Sequence, residues 1–294
     1  MVITLKSKQL EVKISEPLEG YQSSRFDWTG KVSEIFFMGV PITTNEAPNC
    51  TDPLQNGAGL YNEFSMHNAL GFDDTEIGSW FHKIGVGLLK KHDYEYDFSK
   101  AYEIKPAKFD MLVEVDRVHL ECISPNVNGY SYHLQKEIIV EDDQLIINYS
   151  LENTGQKEIH TEEYVHNFFC VNHALINSNY ELKLPFQIER PYSCKTVNPN
   201  NILDFKNDEV KFTSSTEHQF FADYLNGNDI VHAGWELINR ETKIGISETA
   251  SFKTSKVNLW GWKHVISPEL FHSIHLKPTQ IEEWTRTYHF FTLE

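Results

Sequence analysis

Closely spaced cysteines are missing from this chain. Cys50, Cys122, Cys170 and Cys194 lie far apart and form no C-x-x-C pair, which removes the spacing of a zinc knuckle or a dithiol redox centre and leaves buried free thiols as the expectation. Basic residues are also scarce, since 26 Lys and Arg stand against 42 Asp and Glu for a formal charge of −16. Acidic residues scattered over a surface repel phosphate backbones and anionic lipid, so neither nucleic acid nor membrane is expected as a partner. No apolar run approaches the ~20 residues of a membrane helix. The stretch from Met1 to Ser15 lacks the basic start and continuous apolar segment of an export signal, and a cytoplasmic location is expected.

Other absences narrow the fold. There is no linker rich in Pro, Gly or Ser, no low-complexity segment and no fixed-period repeat, so residues 1–294 read as a single domain. No apolar stripe of 3.6-residue period persists for more than about three turns. The best helical candidate, Asn201 to Phe205, is one turn, and Gly85-Val86-Gly87 lacks the third glycine and following helix of a phosphate-binding loop. No His-x-His occurs among the 14 histidines. His272 and His275 would point to opposite faces of a regular strand, so a cupin-like metal centre is not expected.

What the sequence does contain is alternation. Segments rich in Val, Ile, Tyr, Phe and Trp are separated by Gly, Asn, Asp and Pro: Val2 to Ile14, Lys31 to Ile42, Met111 to Ile123, Tyr130 to Val140, Gln144 to Glu152, Lys157 to Val171, Tyr180 to Ile188, Ile230 to Asn239 and Thr242 to Ser247. These predict strands, and the class is all-β, with many antiparallel strands packed as a large two-sheet sandwich. Asn45 to Gly59 and Pro191 to Asn200 read as loops.

Three segments carry a resemblance. Gln144 to Tyr149, the turn Glu152-Asn153-Thr154-Gly155 and the ending His166-Asn167-Phe168-Phe169 form one. Ile266-Ser267-Pro268-Glu269-Leu270-Phe271, then Leu276-Lys277-Pro278-Thr279 and a last strand Trp284 to Phe290, form the second. Ser24 to Gly30 with Gly59 to Phe64 is the third and weakest. In content, order and spacing they resemble the galactose mutarotase (aldose 1-epimerase) superfamily. The Leu-His-Gly-Gly motif of galactose mutarotases is absent and Asn167 follows His166 where the family has Pro, so the resemblance names a superfamily and not a sugar.

That resemblance implies a supersandwich fold and an isomerase that interconverts the anomers of a sugar without cofactor or metal. Such a reaction removes the proton from the C1 hydroxyl while protonating the ring oxygen, which calls for one base and one acid with pKa values brought near neutrality. The family pattern implies Glu269 as general base and His166 as general acid. Arg25, whose guanidinium offers several donors, Glu63, His82, Tyr164 and Trp262 are the expected substrate contacts, with Trp262 preferred over Trp28, Trp80 and Trp260 for stacking. If Lys157 to Val171 is one strand, His160, Glu162, Tyr164, His166 and Phe168 share a face. The expected partner is a monosaccharide or modified sugar. The alternative is a carbohydrate-binding protein of the same fold without turnover.

Overall fold

Most of the alternating segments are strands, and burial follows the alternation. In Gln144–Asn153 half-buried and buried residues alternate at every step, as a strand with one face in a core requires. The computed structural model describes residues 2–47, 52, 57–190 and 194–294. One antiparallel sheet of seven strands runs in the order Val2–Lys6, Leu10–Ser15, Lys31–Phe37, Leu60–Phe64, Ile159–Asn167, His272–Leu276, with Val40–Pro41 beside the third. A ten-stranded sheet has Ile244–Thr254, Ile281–Thr292, Gln144–Asn153 and Tyr132–Glu141 at its centre. Side chains from both sheets share one apolar core: Phe37 meets Phe290 and Phe64 meets Trp284, at ring centroid distances of 6.1 and 6.4 Å. Each such fully buried ring contributes about 1.5–3 kcal/mol through loss of apolar surface to water.

Two smaller sheets complete the described chain. Thr196–Val197, Phe220–Ala222, Val257–Trp262 and Val265–Leu270 form a four-stranded sheet, and Trp80–Lys83, Gly87–Lys90 and Ile104–Pro106 a three-stranded one. An isolated bridge from Phe169 to Ile266 ties the four-stranded sheet to the end of the Ile159–Asn167 strand, and a second joins Phe169 to Thr43.

Several predicted segments differ in extent. Val2 to Ile14 is a hairpin whose turn is held by Ser7, the hydroxyl of which accepts the Leu10 N–H at 2.9 Å. Met111 to Ile123 is likewise split, into Lys108–Val113 and Arg117–Ile123. The Tyr180 strand stops at Lys183, just before Pro185, which has no N–H for a ladder. Asn201 to Phe205 is not helical: a 3-10 turn at Pro199–Asn201 leads into the strand Leu203–Lys206. The Lys157 segment is a strand only over Ile159–Asn167. Part of each predicted loop, 48–51, 53–56 and 191–193, lies outside the described residues, as does Cys50. Cys122 and Cys170 are buried free thiols, whereas Cys194 is only half-buried. Among the described residues no helix is long and apolar enough to cross a membrane.

Candidate active site

Two adjacent strands of the seven-stranded sheet position the site. Leu60–Phe64 pairs antiparallel with Ile159–Asn167, bringing Glu63 opposite Tyr164 and Tyr61 opposite His166. Directly opposed side chains lie on the same face, so these four project together. Gly59 permits the entry into the first strand: its φ is +56°, and a Cβ there would sit 2.2 Å from the Val32 carbonyl oxygen, so no other residue fits. The projecting face rests on an aromatic cluster that includes Phe26, Tyr61, Phe81 and Phe168. The His166 ring is sandwiched there, stacked on Phe168 at 4.3 Å and met edge-on by Trp260 at 4.8 Å.

The four-stranded sheet supplies the acid. In the hairpin of Val257–Trp262 with Val265–Leu270, Asn258 stands opposite Glu269 and Trp260 opposite Ser267. The Ser267 hydroxyl donates to Glu269 Oε1 at 3.3 Å and accepts the Asn167 backbone N–H at 3.0 Å, linking the two halves of the site. The outcome is convergence: Glu269 Oε1 lies 3.7 Å from His166 Nδ1, with both side chains buried. Phe26, Trp260 and Phe168 hold the imidazole plane, and His166 Nδ1 has no hydrogen-bond partner. A cavity of about 300 Å³ opens on this pair, lined among others by Arg25, Glu46, Tyr164, Asn258 and Trp260. That is the lower end of ligand-site volumes and matches one sugar ring.

Burial governs the protonation of the pair. Loss of hydration raises the Glu269 carboxyl to about 8, with Arg25 opposing, and lowers the His166 imidazole well below 6.5, with Arg25 reinforcing. Both shifts disfavour charge, so burial favours the protonated carboxyl on Glu269 and the neutral imidazole on His166. This resting distribution is the reverse of the roles implied by the resemblance, in which Glu269 is the base and His166 the acid.

The other predicted residues divide. Arg25 lines the cavity, its guanidinium 2.7 Å from Glu46 Oε1 and 3.1 Å from Glu63 Oε2 and stacked over Phe26. Tyr164 also lines it and donates from its hydroxyl to Glu63 Oε2 at 2.7 Å. Glu63 is fully buried beneath both and does not reach the cavity wall; it holds Arg25 and Tyr164 in place. His82 is buried against Tyr132 and does not line the cavity. Trp262 shares a strand face with Trp260 but lies one step further along it, its indole N–H donating to the Glu217 carbonyl at 2.8 Å, so Trp260 is the ring at the site. On the predicted shared face, His160 is exposed at the far end of the strand.

Glu46, Asn258 and Trp260 are thus the residues that sequence reasoning missed or passed over. A signal existed for two of them: a hairpin turning at Lys263 and His264 sets Asn258 against Glu269 by register alone. Another grouping was invisible to same-strand spacing. His160 and His275 face each other across two strands, rings stacked at 3.9 Å, with Nε2 atoms 3.3 and 2.9 Å from Glu158 Oε2. These three exposed side chains have the types and closeness to hold a metal ion. A larger depression of about 630 Å³ lies on the ten-stranded sheet, around Leu112, His119 and Glu137. It has no convergent buried acid and base and is not the candidate.

No protein-family model matches the sequence, and the curated proteins contain no match to it. Solved structures do match. A galactose mutarotase related enzyme from Lactobacillus acidophilus has a TM-score of 0.61 at 12% identity, covering 100% of this chain and 99% of the other. A GalM/aldose epimerase homologue from C. elegans has a TM-score of 0.61 at 13% identity, covering 100% and 99%. A galactose mutarotase-like protein from Lactobacillus casei has a TM-score of 0.60 at 11% identity, covering 99% and 100%. The chain has the galactose mutarotase-like fold.

Proposed function

We propose that the protein is an aldose 1-epimerase-like isomerase, exchanging the anomers of a sugar by acid–base ring opening. The observation that carries the reading is the approach of His166 Nδ1 to Glu269 Oε1 at 3.7 Å on the floor of a ring-sized cavity. The C1 hydroxyl oxygen and the ring oxygen are bonded to the same carbon, so the groups that serve them must stand side by side. A buried pair with one proton between them meets that requirement. In the resting distribution His166 accepts the C1 hydroxyl proton and Glu269 gives its own to the ring oxygen. The bond from C1 to the ring oxygen breaks, C1 becomes an aldehyde, and rotation about the bond from C1 to C2 presents its other face. Ring closure returns both protons and restores the pair.

The remaining groups have supporting parts in the same reading. Trp260 offers an apolar face for ring C–H groups, while Arg25 and Asn258 offer donors to sugar hydroxyls. The Arg25 guanidinium is held by Glu46 and Glu63, so it is oriented before a ligand arrives, which reduces the ordering cost of binding. The sugar partner and the isomerase class both rest on this site.

The test is anomer exchange measured by polarimetry and by NMR saturation transfer with common aldoses. Wild type is expected to accelerate exchange of at least one aldose, and Glu269→Gln and His166→Asn to abolish the acceleration. Retained activity in Glu269→Gln would remove the carboxyl from the reaction. Saturable sugar binding with no acceleration in wild type would favour a binding protein.

A further inference from the structure

The cavity at His166 does not end at one ring. Met66, Phe98, Gln219, Phe221, Asn258 and Trp260 line it and equally line a second hollow of about 640 Å³, so the two form one continuous cleft. The extension is built from the edge of the four-stranded sheet, with Tyr224 and Val197 along it. Both are unusually open for apolar side chains, at 39% and 42% exposure. Tyr224 also has a φ of +48°, a left-handed backbone that an aromatic residue rarely adopts. Its N–H donates to Asn258 Oδ1 at 3.2 Å, and Asn258 stands opposite Glu269 in the hairpin. The exposed ring is therefore tied to the strand pair that carries the acid. Strained residues persist where surrounding structure over-determines them, and they gather at ligand sites.

The extension carries Lys195 and Lys256 as well as Glu162 and Asp223. Lys256 Nζ is 3.5 Å from Glu162 and 3.7 Å from the centre of the Phe271 ring, and Asp223 is 3.7 Å from Arg190. Among the described residues Lys256 is thus engaged and Lys195 is a single cation rather than a cluster that could grip a phosphate or a uronate, whereas aromatic faces beside polar groups suit an uncharged sugar ring.

We propose that the cleft takes a neutral disaccharide with a free reducing end, its reducing ring at His166 and Glu269 and its second ring against Tyr224 and Phe221. This rests on the site reading given above and adds the size and charge of the ligand. The experiment is calorimetric titration of wild type and variants with glucose and galactose and with the reducing disaccharides maltose, cellobiose, lactose and melibiose. At least one disaccharide is expected to bind about tenfold more tightly than its own reducing-end monosaccharide. Tyr224→Asn, which removes the ring but suits the left-handed backbone, should erase that gain and leave monosaccharide binding unchanged, while Tyr224→Phe should keep it. The proposal is overturned if no disaccharide outbinds its monosaccharide, or if Tyr224→Asn weakens both alike. A disaccharide gain without anomer exchange upholds the cleft assignment and removes the isomerase reading; monosaccharide exchange without a disaccharide gain does the reverse.

Discussion

The strand pair Leu60–Phe64 and Ile159–Asn167 buries polar groups on both of its faces, and the two faces use them differently. Toward the ten-stranded sheet, Arg286 lies between Glu163 at 2.7 Å and Glu248 at 2.5 Å and donates to the Leu270 carbonyl at 2.9 Å. Asn62 donates to Glu163 and accepts from Lys136 and Tyr149, and Trp235 donates to Glu248. Every carboxylate oxygen of Glu163 and Glu248 is thereby engaged. On the opposite face, Glu46 Oε2 and His166 Nδ1 have no hydrogen-bond partner and belong to residues that line a cavity, while Glu63 Oε1, away from it, is 3.6 Å from Lys83 Nζ. The carboxylate-paired network, in which Arg286 Nε is left without a partner, fixes the packing of two sheets. An open one, whose unmet capacity lies around a cavity, is arranged to be completed by something that enters.

Breaking each network should therefore have a different signature. The largest effect falls on the open face: Glu269→Gln should lower kcat/KM for anomer exchange by about 10²–10⁴-fold. Because burial favours the uncharged carboxyl of Glu269, raised to about 8, its neutral isostere should leave the urea unfolding midpoint nearly where it was. On the closed face the pattern inverts. Arg286→Met leaves Glu163 and Glu248 as buried charges without their cation, costing about 3–5 kcal/mol of stability in urea titration, with exchange per folded molecule unchanged. An equal loss of both properties in either variant would erase the distinction between the faces. Tyr164→Phe sharpens it with a smaller effect. Removing the donor to Glu63 should cost about 1.5–3 kcal/mol, as for a hydrogen bond to a charged group, and should lower kcat/KM moderately because Arg25 then rests on a carboxylate with fewer partners.

The same contrast explains what could be read in the sequence. Strands with one buried face, such as Gln144–Asn153, advertise themselves by alternation, and the all-β class follows from them. Leu60–Phe64 is buried at every position, so period cannot say which of its side chains meet the cavity. Glu63 was accordingly expected as a sugar contact and is instead the fully buried support of Arg25 and Tyr164. His166 and Glu269 were singled out because their neighbours, His-Asn-Phe-Phe and Ser-Pro-Glu-Leu-Phe, carry the family resemblance, and the structure brings the two side chains within 3.7 Å. The preference for Trp262 failed because face alone does not fix position along a strand; Trp260, two residues earlier, is the one level with His166. Glu46 lay in a segment read only as a loop, and the stretch that places it against Arg25 has no periodic signal.

The pair of His166 and Glu269 is the centre of the account, and its one-proton state can be measured through the pH dependence of kcat/KM for anomer exchange, corrected for spontaneous mutarotation at each pH. With Glu269 raised to about 8 and His166 lowered well below 6.5, the rate should hold steady from pH 6 to 7 and fall as Glu269 loses its proton near pH 8. A rate that keeps rising through pH 8 and beyond would mean that the carboxylate works ionised, and would contradict the shared proton.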